Sequence, residues 1–119
     1  MRAETDQARA GRLDDLPADE PHPGVHRRTF STDHATLTSY RFDAGARFPL
    51  HSHEQEQITV VQEGEVEFTV AGEVQRLAAG GWSVVAPGVE HGLRAGPDGA
   101  AILAIIAPRR ATPDAYTLS

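Results

Sequence analysis

The clearest chemical signal in this chain is a pair of histidines one residue apart. His51 and His53 stand in the stretch FPLHSHEQEQITVVQEG. Alternate side chains of a β-strand share a face, so both imidazoles point to one side while Ser52 points to the other. Gln57 opens the next predicted strand and returns an amide oxygen to the same face. His91, in VAPGVEHG after a proline-glycine turn, is the fourth candidate, and together the four predict a site for one divalent metal ion.

The donor atoms limit which metal is expected. Three imidazole nitrogens and one amide oxygen suit a borderline divalent ion such as iron, nickel, zinc or manganese, with positions open for water or substrate. Imidazole binds metal only when deprotonated, so metal affinity is expected to fall as the pH drops through about 6. Each residue alone has a simpler reading as an exposed strand or turn residue, and only their combination favours a metal. The other histidines have no matching spacing and are assigned no role: His22, His26 and His34.

Composition predicts one globular, β-rich domain. The chain has 119 residues, of which 39% are hydrophobic and 24% charged, with 11 glycines. A net charge of −6 argues against binding to nucleic acid. The absence of cysteine excludes disulfides and thiolate ligands. No apolar run has the length of a membrane span, and the first 20 residues lack the apolar region of a secretory signal, so we expect a cytoplasmic protein that does not bind membranes. The absence of cysteine is equally compatible with an extracellular location.

The pattern along the chain predicts a barrel or sandwich of short strands. Residues 1–23 lack an apolar period and are predicted to form a flexible arm, with a short helix around Ala8–Leu13. Residues 24–112 form the predicted barrel, in which glycine-bearing turns recur every 8–12 residues or so, and residues 113–119 a tail. The predicted strands are His26–Phe30, Ala35–Phe42, Gln57–Gln62, Glu65–Ala71, Val74–Leu77, Trp82–Ala86 and Ala101–Ala107.

The segment AILAIIA is apolar at both parities, so both of its faces must be covered. Alternate residues of a strand face opposite sides, so a strand that points Gln57 into the barrel points Ile58 and Val60 outward. Trp82 is expected in the core or in a subunit interface. These features predict a homodimer formed by sheet packing.

At this point the chain resembles the cupin superfamily. Gly45, His51, His53, Gln57 and Gly64 follow the first cupin motif, with glutamine in place of the usual glutamate. The second motif is matched at Gly80, Gly88 and His91, whereas alanine stands at the usual proline (Ala86) and asparagine (Ala95) positions. The resemblance covers about Gly24–Arg110. It implies an all-β, double-stranded β-helix (jelly-roll) barrel with a metal at its centre.

Within that superfamily the chain is similar to the small single-domain cupins that linearise unsaturated uronates and to related lyases. Those proteins bind metal through His, His, Gln and His, and a late strand presents an acid and an arginine to the substrate. Here AIIAPRR aligns so that Arg110 keeps the arginine position while Ala104 replaces the acid. The resemblance therefore implies a catalytic and substrate-binding role for Arg110 and casts doubt on uronate linearisation.

Several other residues are weaker candidates. Arg47 is a possible ligand for a substrate carboxylate, although most arginines in such turns are solvated. Arg109 and Arg110 are either an anion clamp or an ordinary charged strand end. Glu54 and Glu56 are candidate general bases, although a solvated acidic loop is the simpler interpretation.

Three functions remain open from the sequence. The leading one is a metal-dependent enzyme that isomerises, eliminates or cyclises a small oxygenated molecule, sugar-acid-like or polyketide-like, without redox change. The second is a quercetinase-like dioxygenase. The third is a cupin that binds a small molecule without catalysis, which the loss of an acid at Ala104 favours.

Overall fold

A computed structural model describes residues 8–119 and shows an almost entirely β chain. A single 3-10 turn, Leu13–Asp15, precedes the first strand. The strands are β1 (Ala18–His22), β2 (Val25–Ser31), β3 (Thr36–Phe42), β4 (Arg47–Ser52), β5 (Glu56–Val70), β6 (Glu73–Ala78), β7 (Trp82–Val85), β8 (His91–Ala107) and β9 (Thr117–Leu118). Within residues 8–119, no helix is long and apolar enough to cross a membrane.

The long strand β8 organises the barrel. Its second half pairs with β3 on one side and with the first half of β5 on the other. Its first half pairs with β4 and with the second half of β5. β2 and β1 extend the sheet beyond β3, β7 and β6 flank the two halves of β5, and β9 covers the edge of β4. The result is the predicted jelly-roll barrel, in which two curved sheets share β5 and β8.

Strand β5 passes between the two sheets at a pair of register shifts. The shifts lie between Val61 and Glu63 and between Gly64 and Val66. Gly64 has φ +75°, and a Cβ there would lie 2.2 Å from the carbonyl oxygen of Gly99. No other residue type fits so close a backbone approach. The sequence pattern split this segment into two strands at Gly64, whereas the structure bends one strand there.

Alternation along the strands separates the core from an outer apolar face. Gln57, Thr59 and Val61 are buried inside, while Ile58 is partly exposed, as the parity predicts. The outer face continues across neighbouring strands, because Ile58 lies between Val84 of β7 and Ile105 of β8. In the next row Trp82, Val60 and Leu103 stand side by side. Trp82 is 68% exposed, so the prediction of a core position is wrong, while its place in a subunit interface stays a prediction.

Two further predictions from the sequence need correction. Within the predicted arm, residues 1–7 lie outside the described part, and residues 8–12 form no helix. The 3-10 turn begins only at Leu13, and Ala18–His22 is strand β1, paired with β2. The predicted tail contains β9, paired with β4. Both segments were missed because an edge strand with one paired side need not show a continuous apolar period. The sheet thus extends beyond residues 24–112 at both ends.

Candidate metal centre

Three buried histidines meet inside the barrel. His51, near the end of β4, is paired in register with His91, the first residue of β8, and their ring centroids lie 4.2 Å apart. His53 follows β4 directly, and its ring centroid is 4.8 Å from that of His91. One nitrogen from each of the three rings lies within 4.8 Å of the others. The structure therefore brings together the histidines that the sequence selects.

A turn joins the two segments that supply these histidines. Gly88 has φ +78° and donates its backbone N–H to the carbonyl oxygen of His53 over 2.8 Å. A glycine takes this backbone conformation without steric cost. The turn that precedes His91 is therefore fixed directly to the residue that follows β4.

Each of the three rings has a defined tautomer. The Nδ1 atoms of His51, His53 and His91 lie 2.8, 3.0 and 2.8 Å from the backbone carbonyl oxygens of Pro49, Gln55 and Val89. A carbonyl oxygen only accepts, so each Nδ1 carries the hydrogen. The neutral ring then has a lone pair at Nε2, the arrangement typical of a metal-binding histidine whose other nitrogen is held in place.

Gln57 adds an oxygen to this group. Its Oε1 lies 3.0 Å from His53 Nε2 and 3.3 Å from His91 Nε2. Its Nε2 donates to the Thr59 hydroxyl over 2.9 Å, which turns Oε1 towards the histidines. With both rings neutral, the Gln57 oxygen and the two Nε2 atoms are all hydrogen-bond acceptors, so no hydrogen lies between them. These separations suit atoms that each bind one ion at about 2.1 Å, so the donor set fits a divalent metal.

Burial keeps these rings neutral well below pH 7. Desolvation, followed by the neighbouring His91, lowers the pKa of His51 to about 3. Desolvation also lowers the pKa of His91 to about 4 and lowers the pKa of His53. The pH of about 6 expected for proton competition assumed an unperturbed imidazole. Because the pKa of each of the three rings is lowered, protons should compete with the metal only at a lower pH than that.

Arg110 lies close enough to lower the pKa of all three histidines. The residue is only 3% exposed; its guanidinium donates to the Pro113 carbonyl oxygen over 2.9 Å and lies near Tyr40. Its Nε is buried without a hydrogen-bond partner, and no carboxylate pairs with it within residues 8–119. Burial lowers the pKa of Arg110 and raises that of Tyr40. The site therefore contains an uncompensated positive charge.

The other predicted candidates lie elsewhere. Arg47 is exposed at the start of β4, in register with Arg94, and makes no hydrogen bond or ion pair with another described residue. The alternation of the strand turns Phe48 rather than Arg47 inward, and the predicted role of Arg47 in substrate binding stays a prediction. Arg109 is exposed while Arg110 is buried, so the two do not form a clamp. Glu54 and Glu56 are also exposed, which agrees with the solvated reading.

Sequence reasoning missed residues that line the approach to the histidines. The ring of Tyr116 lies 5.1 Å from that of His51 and 5.3 Å from that of Phe48, edge on in both cases. Its hydroxyl is 3.1 Å from Nε2 of His22, a residue of β1 whose ring also packs on Phe48. Thr59, which holds Gln57, was missed as well. Thr59 could have been found from the sequence, because it lies two residues after Gln57 and so on the same face of the strand. Tyr116 and His22 gave no such signal, since they are distant from the metal-site histidines in sequence.

Comparisons with known proteins agree with this architecture. The model of the family described as "Cupin domain" matches residues 38–106. An RmlC-like cupin from Shewanella frigidimarina superposes with a TM-score of 0.80 at 26% identity, over 87% of this chain and 94% of that one. KdgF from Halomonas sp. gives a TM-score of 0.76 at 27% identity, over 86% of this chain and 97% of that one. No curated protein matches.

A more distant structural match concerns the fold alone. An oxalate decarboxylase of Bacillus subtilis superposes with a TM-score of 0.81 at 17% identity, over 98% of this chain and 34% of the longer one. The resemblance seen in the sequence is confirmed by the family match and by both small cupins. Because the cupin domain spans more than half of the residues, the chain belongs to the cupin family, as a small member similar to KdgF.

Proposed function

We propose that this protein is a metal-dependent enzyme that acts on a small oxygenated molecule bearing an anionic group, by isomerisation, elimination or cyclisation without redox change. His51, His53, His91 and Gln57 would hold one divalent ion, such as iron, nickel, zinc or manganese. An ion held there acts as a Lewis acid that polarises a carbonyl or hydroxyl oxygen.

The observation that carries this proposal is the convergence of lone pairs. Gln57 Oε1 faces two histidine Nε2 atoms at 3.0 and 3.3 Å while the opposite nitrogens of those rings are engaged by carbonyls. Buried acceptors that face one another without a hydrogen are unfavourable. A cation between them removes that repulsion. An ordinary structural network would place a donor between the acceptors.

Arg110 supports an anionic substrate. A buried guanidinium without a counter-anion is costly, and its free Nε is a donor that a carboxylate or phosphate can satisfy. The Pro113 carbonyl holds the guanidinium in place, and Tyr40 lies near it. In this proposal Arg110 binds and orients the anionic group, while Thr59 keeps the Gln57 oxygen turned towards the metal.

The barrel interior around Ala104 argues against uronate linearisation. Ala104 is fully buried and is flanked in register by Thr38 on β3 and Thr59 on β5. No carboxylate stands in this row, where the uronate-linearising cupins that the sequence resembles present their acid. General acid–base help is typically worth about 10²–10⁴ in rate. We therefore expect unsaturated uronates to be poor substrates even for metal-loaded protein.

The lack of a carboxylate beside Ala104 also favours a second candidate, a cupin that binds an anionic small molecule without converting it to a product. The two candidates share the metal and Arg110, so they predict the same ligand binding. They differ only in product formation by the metal-loaded protein.

The test begins with elemental analysis of purified protein, before and after dialysis against a chelator. Metal-loaded protein is then incubated with a panel of sugar acids and other oxygenated carboxylates while product formation and oxygen are followed. Metal-dependent turnover without oxygen uptake supports the proposal. Oxygen uptake would indicate the dioxygenase reading, and binding without turnover the second candidate. Protein that takes up no divalent metal would contradict both candidates.

A further inference from the structure

The segment of residues 111–119, which we call the closing segment, lies against the candidate metal centre. Tyr116 packs on His51, a proposed metal ligand, and its ring is also 5.7 Å from the Arg110 guanidinium carbon. Tyr116 thus contacts both halves of the proposed site, the metal ligands and the anion-binding arginine. A molecule that bridges the metal and Arg110 must lie against this ring or displace it.

Three sets of contacts hold the closing segment in place. Near its start, the carbonyl of Pro113 accepts hydrogen bonds from Arg27 and Arg110, and Asp114 pairs with Arg27 at 3.1 Å. In its middle, Tyr116 hydrogen-bonds His22. Towards residue 119, two residues form β9 against β4.

The anchors differ greatly in burial. Arg27 is 2% exposed and belongs to the barrel wall, where Asp19 also pairs with it at 2.6 Å. Asp114 is 72% exposed, and β9 is exposed throughout. Arg27 is therefore fixed in the barrel wall, while the closing segment contributes exposed groups, one two-residue strand and the half-buried Tyr116. Segments with such contacts open at a small fraction of the global unfolding free energy.

We propose that the closing segment is a gate over the metal centre, with Tyr116 as the residue that contacts bound substrate and the Arg27–Asp114 pair as its latch. The gate rests on the metal site proposed above. Opening requires the segment to leave His22, Arg27 and Arg110 and β9 to separate from β4. Closure places an aromatic ring over His51 and keeps bulk water from the ligands.

The test measures how fast metal leaves the protein, with the metal ion alone as the probe. Protein loaded with Ni²⁺ is mixed with excess EDTA, and the release rate is compared among variants with confirmed thermal stability. Tyr116→Ala removes the ring and is expected to speed release on the order of ten-fold, whereas Tyr116→Phe keeps the ring and is expected to speed it by a factor of about 2–5. Asp114→Asn opens the latch and is expected to speed release about 2–5-fold.

A matched control removes an equivalent carboxylate elsewhere. Glu63 pairs with Arg41 at 3.1 Å on the barrel surface, so Glu63→Gln is expected to release metal at the wild-type rate. Wild-type rates in both Tyr116→Ala and Asp114→Asn would overturn the gate while leaving the metal site intact. Equal acceleration in Glu63→Gln would also overturn it, because the effect would then be one of general stability. Absence of bound Ni²⁺ in the wild type would overturn both the gate and the proposed function.

Discussion

Lowering the pH below about 6.5 should destabilise the metal-free protein. Burial, and then the neighbouring His91, hold the pKa of His51 at about 3, whereas an unfolded histidine titrates near 6.5. Below about pH 6.5, His51 therefore binds a proton in the unfolded chain but not in the folded protein. The free energy of unfolding is unaffected above that pH and falls as the pH drops towards 3.

The size of the effect follows from the width of this window. Each pH unit inside it costs about 1.4 kcal/mol per histidine. His51 alone therefore removes about 2 kcal/mol between pH 6.5 and pH 5. His91, with a pKa of about 4, lowers the free energy of unfolding further over the same interval. The free energy of unfolding of a single domain is typically about 5–15 kcal/mol, so the loss is large enough to measure.

Urea unfolding of EDTA-treated protein, at pH values from about 7 to 5, measures this directly. Replacing His51 by glutamine should flatten the dependence by about 2 kcal/mol over the interval. His34 is exposed, so His34→Gln is the matched control and should leave the slope unchanged. Equal stability of the wild type at the two ends of this range would refute the reasoning. So would an unchanged slope in His51→Gln.

The remaining expectations concern single residues and the outer face. His53→Ala should abolish stoichiometric metal binding at neutral pH, and unchanged metal content by elemental analysis would contradict the ligand assignment. Thr59→Val frees the Gln57 amide to rotate and should weaken metal binding at least about ten-fold by competition with a chelator. Arg110→Ala should weaken binding of a carboxylate ligand about 10–100-fold, and unchanged affinity would remove Arg110 from the site. Packing of the outer apolar face around Trp82 should give a homodimer, against which a monomer by light scattering at micromolar concentration would count decisively.

The sequence predicts the barrel and the four candidate ligands because their signals are local. A period of two places His51 and His53 on one face, and glycine marks the turn before His91. The family resemblance, rather than periodicity, favoured Arg110 over Arg109, and the structure shows that Arg110 is the buried one. The exposure of Arg47 became clear only from the fold, which turns Phe48 rather than Arg47 inward.

Residues that act across the fold leave no such local signal. Tyr116 and His22 meet over His51 only because β1 and the closing segment lie at neighbouring edges of the barrel. Neither segment has apolar residues at the regular spacing of a strand or helix, so the sequence predicts flexible ends for both. The bend of β5 at Gly64 was equally hidden, since a glycine inside a strand and a glycine in a turn look alike in sequence.

The register between β4 and β8 has a consequence for the order of folding. All of β5, β6 and β7 lies between His51 and His91 in the chain, and β8 must also pair with β3, which is still more distant in sequence. Pairings of such long range are typical of domains that fold slowly, because loop closure precedes the contacts that offset it. The donor atoms are consequently assembled late, so metal ions should speed refolding little while slowing unfolding strongly.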